Sequence, residues 1–460
     1  MPAAAASAHT MKRLISHLKF LYQYITTSIG FYPTLISVCF FALALLMLYL
    51  ETQGLSKSLK DNLPLLIISN GETARLILST IAGGIISLTV FSFTMVMLVL
   101  NQASANFTPR VIPGLISHKS NQSVLGLYLG TLVYTLVVMV NVRSDYYSVP
   151  LPGFTIFLAM CFAIICLGFF VYFIHAVSQS IQIESILENI FYVTKRSLEG
   201  EIDRDRGTAI PNVFNQQAEW QTLESPTTGY LQSLDTGAVM GLLREYEVVL
   251  DFFEPLGSFL VEGVPFARVN KRLPDMKEFT SRLFGHVNFY REERPDVNYI
   301  FGFKHITESA VKALSPGIND PGTAIKAIDY LTALFALRMD LTDEKVLYDK
   351  DNAGRIHFKH ETFGDLYAVS LSPIRLYGKG SVIIVLRLLQ LLQSLLHKVG
   401  PHPELKPVLY GEAILLIHDA DENTENPGDR EKINSLLRQL NNMQVLDKPL
   451  PLLKRETSCV

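Results

Sequence analysis

The hydrophobic positions of this chain are concentrated in four long apolar segments, at residues 31–50, 76–100, 124–140 and 154–174. None of these segments contains Asp, Glu, Lys or Arg. A helix needs about 20 apolar residues to cross a hydrocarbon core of about 30 Å. Inside that core every backbone N–H and C=O must be bonded within the helix itself. The pattern therefore predicts a transmembrane domain of four helices at residues 31–174.

The pattern outside these segments is shorter and more polar. Residues 1–30 are predicted to be an N-terminal extension with a juxtamembrane helix. Residues 175–228 are predicted to be a helical neck, which continues the last span to about residue 194, followed by a polar linker that contains Gly and Pro. The neck would couple the membrane domain to the rest of the chain.

A small β-module is predicted at residues 229–270, where β-branched and aromatic residues are frequent. The residues on either side of Glu262-Gly263 are typical of a hairpin. Residues 271–460 are predicted to be an α-rich domain. Its helices are expected at 301–314, 324–337, 382–399, 408–418 and 431–442. The fold class is an α-helical integral membrane protein with four transmembrane helices and a C-terminal α+β cytosolic region.

The segment 382–399 is almost continuously apolar and is long enough to be mistaken for a fifth span. Arg387, Gln390 and Gln393 interrupt it. Charged and amide side chains are costly in hydrocarbon. We therefore predict a buried helix of the soluble region.

Charge and cysteine content exclude several classes of protein. The net charge is −3, which argues against a nucleic acid partner. Three of the four cysteines, Cys39, Cys161 and Cys166, lie inside the apolar segments, and no disulfide framework or zinc spacing is present. Lys and Arg are more frequent in the short loops on the side of both termini, which predicts cytoplasmic N- and C-termini in the inner membrane.

Small residues on two spans predict close helix contacts, because Gly, Ser and Ala let helix backbones approach each other in a membrane. Ser79, Gly83 and Ser87 are four residues apart on the second span. Gly126 and Gly130 form a GxxxG motif on the third span. The two motifs predict helix packing, and less strongly oligomerisation.

The second span is also rich in hydroxyl groups, including Ser87, Thr89 and Ser92. These side chains either line a polar path or bond back to carbonyls of their own helix. The spans contain no Asp, Glu, Lys, Arg or His, which argues against a proton-driven pump. A passive channel is compatible with the pattern, because channels also use hydroxyls, carbonyls and hydrophobic gates.

A polar run follows the second span at residues 101–110. Pro109 is predicted to end or bend the helix near Thr108. Arg110 is then expected at the level of the lipid headgroups. It either anchors the helix there or contacts the soluble region.

The most distinctive string lies between two predicted helices. It consists of Ser315, Pro316, Gly317, Ile318, Asn319, Asp320 and Pro321. Asp320 is a suitable N-cap, and a proline favours the first position of the next helix. A tight, ordered turn explains every residue type in the string. The functional alternative is that Asn319 and Asp320 offer oxygen atoms to an ion or ligand beside the helix N-terminus.

Other patterns that suggest metal sites are incomplete. Residues 349–354 begin like a calcium loop, but Ala353 is no ligand and His360 occupies the place of the closing acid. In residues 419–430, Thr424 replaces the loop glycine and Arg430 the closing Glu. The chain has no Walker loop, nucleotide fingerprint, G-x-S-x-G or H-E-x-x-H motif. We therefore expect no enzyme activity, no metal site and no cofactor.

The string 313–321, together with Thr323-Ala324, resembles the hallmark of a bacterial predicted membrane protein family, the domain of unknown function 2254. The segments 31–34, 107–110 and 229–235 also resemble that family, and the likeness covers nearly the whole chain. Gly322 stands where a bulky aromatic residue is common in the family. Val297-Asn298 replaces its Gln-Asp pair. The resemblance implies a membrane location and carries no established activity.

Two functions are compatible with these observations. The leading expectation is an oligomeric, channel-like or transport-related protein that is regulated by its cytosolic region. The alternative is a non-conducting scaffold or signalling protein that binds a cytosolic partner. An enzyme acting on a membrane-bound substrate ranks third. The expected partners are the lipid bilayer, other copies of the same chain and a cytosolic protein.

Overall fold

The computed structural model describes residues 30–53, 70–106, 119–142, 153–180, 183–203, 214, 220–290 and 293–454. The chain divides into two compact units. The first unit comprises residues 1–105 and 111–182, and the second comprises residues 106–110 and 183–460.

Four helices make up the described part of the first unit. They are α1 (Phe31–Thr52), α2 (Gly71–Asn106), α3 (Lys119–Asn141) and α4 (Gly153–Ser180). All four are long and apolar enough to cross a membrane, which confirms the four predicted apolar helices. The 36 residues of α2 extend beyond the apolar segment at both ends.

The helices of the first unit pack around apolar clusters. Polar contacts join the same helices at one end. The main buried residues are Ala44, Leu78, Tyr134 and Ile156 in one cluster, and Ile85, Tyr128, Cys166 and Phe173 in another. Glu51 near the end of α1 accepts hydrogen bonds from the backbone N and the Oγ1 of Thr155 on α4, at 3.1 and 3.0 Å. Arg75 on α2 donates to the carbonyl of Val142, just after α3.

The second unit begins with α5 (Ile183–Ile202) and combines two sheets with a set of helices. The strands are β1 (Gln221–Glu224), β2 (Gly229–Leu234), β3 (Leu250–Phe252), β4 (Phe259–Leu260), β5 (Pro265–Val269), β6 (Val287–Tyr290), β7 (Glu344–Tyr348) and β8 (Gly354–Lys359). The further helices are α6 (Thr236–Glu245), α7 (Met276–Phe284), α8 (Tyr299–Ala313), α9 (Pro321–Arg338), α10 (Phe363–Gly378), α11 (Val382–Lys398), α12 (Lys406–Asn423) and α13 (Pro427–Asn442).

The strands form a five-stranded sheet in the order β1-β5-β3-β8-β7 and a three-stranded sheet in the order β4-β2-β6. The β3–β8 pair is parallel, and the other pairs are antiparallel. One apolar core contains residues of both sheets, α6 and α7, among them Leu231, Leu243, Phe252, Phe266 and Phe279.

The predicted hairpin around Glu262-Gly263 is wrong. A tight turn is present there, since Val264 donates to the carbonyl of Val261 and Gly263 has φ of 79°. However, β4 before the turn pairs with β2, and β5 after it pairs with β1 and β3. The turn therefore carries the chain from one sheet into the other.

The β-structure also extends beyond the predicted module of residues 229–270. β1 lies in the predicted linker, and β6, β7 and β8 lie in the region predicted as α-rich. In β7 the alternation of polar and apolar residues is weak, whereas residues 355–359 of β8 alternate regularly, a strand signal that the prediction missed. β8 pairs with β3, and β7 joins the sheet by pairing with β8. Within the predicted neck, the described residues are helical in α4 up to Ser180 and in α5 from Ile183, and the join between the two lies outside the described residues.

The helical part of the second unit follows the prediction more closely. The five expected helices correspond to α8, α9, α11, α12 and α13. The apolar helix α11 is buried in this unit through residues such as Ile384, Leu388, Leu391 and Leu395. The sequence did not predict α7 or α10, which contains Pro373 in its interior.

Candidate functional sites

One face of α2 carries a column of hydroxyl groups. Thr80, Ser87 and Thr94 are seven residues apart, close to two helical turns, so they lie on the same side of the helix. All three are exposed in the described structure. Each hydroxyl donates to the carbonyl four residues earlier, at 2.8, 3.0 and 2.8 Å. We call Thr80, Gly83, Ser87 and Thr94 the α2 outer face.

The small residues predicted on α2 also lie on the outside of the first unit. Ser79 and Gly83 are exposed, and a Cβ added to Gly83 meets no atom of the described residues within 4 Å. In a membrane, an exposed glycine beside hydroxyls is typical of a surface that another helix approaches closely. Within the described chain, no helix covers this surface.

Two other predicted hydroxyl residues of α2 point elsewhere. Thr89 is half-buried, and its hydroxyl donates to the carbonyl of Ile85 at 2.7 Å. Ser92 is buried, and its Oγ has no hydrogen-bond partner among the described residues. The structure therefore separates Ser79, Gly83 and Ser87 from Ser92, which sequence reasoning had grouped together.

The GxxxG motif of α3 packs against α1 of the same chain. A Cβ added to Gly126 would lie 2.7 Å from Cδ1 of Ile36 and 3.0 Å from Cα of Pro33. A Cβ added to Gly130 would lie 2.9 Å from the ring of Phe40. Because these distances are shorter than van der Waals contact, both glycines allow α1 and α3 to touch. The motif is used inside one subunit.

The two juxtamembrane residues singled out from the sequence, Pro109 and Arg110, lie outside the described residues. Their predicted roles stay predictions.

The turn between α8 and α9 is held together by its own polar groups. Asp320 caps α9, because its Oδ1 accepts from the backbone N of Thr323 at 3.1 Å and its Oδ2 accepts from the Thr323 hydroxyl at 2.5 Å. The backbone N of Asp320 donates to the carbonyl of Ala313 at 2.8 Å. The Thr323 hydroxyl is the main reason that the pKa of Asp320 lies below its usual value. Both carboxylate oxygens of Asp320 are thus engaged within the turn.

The rest of the turn is shaped by its backbone. Asn319 adopts φ of 49°, the left-handed region that Asn tolerates better than most residues. The carbonyl of Ser315 accepts from the backbone N of Asn319 at 2.9 Å, and the Ser315 hydroxyl donates to the backbone carbonyl of Lys312. Pro321 occupies the first turn of α9, as predicted. Pro316, Gly317 and Ile318 are exposed at the tip.

Comparison with known proteins gives a family for this chain. The model of the family described as "Predicted membrane protein (DUF2254)" matches residues 26–394. The chain belongs to this family. It is 26% identical over 381 residues to an uncharacterized protein of Mycobacterium bovis, Mb1321c, and equally to the uncharacterized protein Rv1290c of Mycobacterium tuberculosis. Each alignment covers 78% of this chain and 70% of the relative. No solved structure matches the chain.

This DUF2254 protein also contains a buried polar network that sequence reasoning missed. Asp251 on β3 is paired with Arg268 on the neighbouring strand β5 and with His357 on the neighbouring strand β8. Its Oδ2 accepts from Arg268 Nε at 2.6 Å, and its Oδ1 lies 2.6 Å from Nδ1 of His357. The Arg268 guanidinium lies 4.4 Å from the ring centre of Trp220.

The electrostatics of this network favour a charged Asp251. Burial raises the pKa of Asp251, but the hydrogen bonds and charges of His357 and Arg268 outweigh burial and hold the pKa below its usual range. An Asp that orients a His is also found in acid–base catalysis, where the His must reach a reacting atom. Here Nε2 of His357 lies 3.7 Å from the carboxylate of Glu344. We assign the network to joining the three strands.

A second missed cluster surrounds the buried carboxylate of Glu293. One of its oxygens lies 2.5 Å from Nζ of Lys304, and the other lies 3.3 Å from Nε2 of His305. The hydroxyl of Tyr230 on β2 donates to the same carboxylate at 3.4 Å. The cluster therefore ties α8 to the three-stranded sheet. Tyr230 and Glu293 are 63 residues apart in the chain, which gives no local sequence signal.

The two incomplete calcium patterns have structural roles in the described chain. Asp349 accepts from the backbone N of Asp351 and of Ala353 and from Arg355, so it organises the β7–β8 turn. Ligand atoms of His418, Asp419 and Glu422 on α12 lie within 4.8 Å of one another. However, Asp419, the middle residue of these three, forms an ion pair with Arg375 of α10, so its carboxylate is already engaged.

Proposed function

We propose that this DUF2254 protein is a homo-oligomeric inner-membrane protein whose subunits meet through the α2 outer face and enclose an ion-conducting path. The observation that carries the proposal is the column of Thr80, Ser87 and Thr94 on an exposed face of a membrane-length helix. We further propose that the second unit lies in the cytosol and regulates this path.

The hydrogen bonding of the column supports a role beside water. The three hydroxyls donate to carbonyls of their own helix, so each hydroxyl hydrogen already has an acceptor within one subunit. Each oxygen keeps a lone pair that can face a passing ion or water molecule. Selectivity in channels commonly comes from oxygen atoms and hydrophobic constrictions, without intramembrane charge.

The packing of the first unit favours a path between copies of the chain. Apolar clusters fill the spaces among its four helices, and Gly126 and Gly130 bring α1 and α3 into direct contact. A path through the centre of one subunit would have to open these contacts. A path along the α2 outer face requires only that several copies associate around it.

The test is ion flux from liposomes that contain purified full-length protein. Ser87→Leu and Thr94→Leu replace hydroxyls of the α2 outer face by larger apolar groups, and we expect both to abolish flux. Val171→Leu is the matched control, because Val171 is exposed on α4 of the same unit. It should leave flux unchanged. Cross-linking measures the subunit number of each variant, and a loss of flux is assigned to the conducting path only in variants that keep the oligomer of the unchanged protein.

A second candidate function is a non-conducting scaffold, favoured by the open side of Gly83 between Thr80 and Ser87. Such a surface also suits dry, close packing of two α2 helices. Oligomers without flux for any ion, at several membrane potentials, would refute the channel and support the scaffold. A monomer without flux would refute both proposals.

A further inference from the structure

Several helix ends of the second unit lie at the same height along the direction of the helix axes. α5 and α9 run in the same direction, because Phe191 stacks on Tyr330 at 4.6 Å and Glu201 pairs further along with Lys345, which follows α9. Ile183 lies eight residues before Phe191, and Pro321 lies nine residues before Tyr330. At a rise of about 1.5 Å per residue, the two helix starts differ in height by about one residue.

The same reasoning places the end of α8 at this level. Gly302 of α8 lies against Thr194 of α5, and α8 runs opposite to α9. Ala313 lies eleven residues after Gly302, and Ile183 lies eleven residues before Thr194. Both distances correspond to about 16 Å along a helix. The turn at residues 315–320 is therefore level with the start of α5.

A second turn, between α10 and α11, lies beside the first. A Cβ added to Gly378, at the end of α10, would lie 3.5 Å from Cδ1 of Leu314 and 3.1 Å from Cβ of Ile384. α11 starts at the same end as α9, because Arg387 near the start of α11 pairs with Asp329 and Lys398 at its end pairs with Asp340, just after α9. One end of the second unit thus combines the start of α5 with both turns.

This end carries exposed large apolar side chains. Ile318 is 39% exposed, Leu376 52%, Tyr377 57% and Ile383 58%. We call these four residues the apolar end surface. Lys379 lies two residues after Tyr377, and Lys312 lies six residues before Ile318, in the last turn of α8. Apolar tips with tyrosine and lysine are typical of protein surfaces that lie in the headgroup region of a bilayer.

We propose that the apolar end surface inserts into the headgroup region of the membrane that holds the protein. The chain itself favours this occupant, because α5 begins three residues after α4, the last of the four apolar helices. The start of α5 therefore belongs to the part of the second unit that the chain tethers to the bilayer. This proposal does not depend on ion conduction.

The test is a fluorescent probe at a single cysteine in the full-length protein, reconstituted in nanodiscs that contain anionic lipid. The four native cysteines are first replaced by alanine. A polarity-sensitive probe is then attached to Ile318→Cys or, as a second position, Ile383→Cys. Quenching is measured with doxyl-labelled lipid and with iodide in the water.

The matched control is Val261→Cys, because Val261 is exposed to 49% and is also apolar. Val261 lies two residues after Phe259, whose ring contacts Tyr230. Tyr230 in turn contacts Phe301, which lies at the opposite end of α8. We expect the probe at 318 or 383 to emit at shorter wavelength than the probe at 261. It should lose fluorescence with doxyl lipid and resist iodide, whereas the control should do the reverse.

Two results would overturn the proposal. Probes at 318 and 383 that are quenched by iodide as strongly as the control show that the surface faces water. Probes that are protected from both quenchers show that protein covers the surface. Either result leaves the flux experiment on the α2 outer face unaffected, so the two proposals fail separately.

Discussion

The contact between Gly302 on α8 and Thr194 on α5 leaves no room for a side chain at position 302. A Cβ added there would lie 2.6 Å from Cβ of Thr194 and 2.5 Å from its Cγ2. Rotating the Thr194 side chain cannot relieve the first distance, because Cβ does not move with the rotamer. Gly302→Ala therefore forces the two helix backbones apart.

Two effects of opposite sign determine the size of the change. Overpacking of a close contact costs about 1–3 kcal/mol. Alanine is better than glycine inside a helix by about 1 kcal/mol. The net effect of Gly302→Ala is a loss of about 0–2 kcal/mol in the free energy of unfolding. When Thr194→Gly removes the obstructing Cβ, the same Gly302→Ala change becomes stabilising by about 1 kcal/mol.

The assay is urea unfolding of the full-length protein in detergent, followed by tryptophan fluorescence. The chain has one tryptophan, Trp220, which lies in the second unit, so the signal reports on that unit. Gly411→Ala is the matched control, because Gly411 lies inside α12 and a Cβ there meets no described atom within 4 Å. It should raise the unfolding midpoint.

The reasoning is refuted if Gly302→Ala raises the midpoint as much as Gly411→Ala does. It is also refuted if the effect of Gly302→Ala keeps its sign in the Thr194→Gly background. A double-mutant cycle over the two positions should instead give a coupling energy of about 1–3 kcal/mol, the size of the overpacking effect.

Three further predictions use the same protein. Asp320→Ala removes the cap of α9 and should lower the free energy of urea unfolding by about 1 kcal/mol, while Asp320→Asn retains most of it. The pKa of Asp251 is lowered in the folded protein, so its charged form stabilises the fold above the ordinary pKa of 3.8, and this stabilisation is lost as the pH falls through the lowered pKa. The free energy of unfolding of Asp251→Asn should therefore depend less steeply on pH below 3.8 than that of the unchanged protein, as measured by acid unfolding. Gly130→Leu should lower the thermal stability of the helices in detergent, as followed by circular dichroism, because α1 touches that position, whereas Gly168→Leu on α4, where an added Cβ meets no described atom within 4 Å, should not.

Features with a local cause could be predicted from the sequence. The four apolar helices follow from unbroken hydrophobic segments, and the start of α9 follows from Asp320 and Pro321. Both signals lie within a few residues of the element that they specify. The helix α10 lacks such a signal, since Pro373 in its interior normally ends a helix and packing of its buried face maintains it.

Features that depend on distant residues could not be predicted. The strand β7 has only a weak alternation and is recognisable through its pairing with β8, which in turn pairs with β3. The network of Asp251, Arg268 and His357 joins residues up to 106 positions apart. On α2, composition identified the hydroxyls, but only packing shows that Ser87 faces outward and Ser92 faces inward.

The parallel pairing of β3 with β8 also determines the order in which the nascent chain completes its five-stranded sheet. Leu250 pairs with Ile356, so Ile356 is the 106th residue to be synthesised after its partner. At about 5–20 residues per second, β3 waits about 5–20 s for its neighbour. During that interval one edge of β3 is unpaired, and such edges attract other strands. The helices α8 and α9 lie between β3 and β8 in the chain and are joined by a short turn, so that pairing them shortens the loop that must close before β8 meets β3.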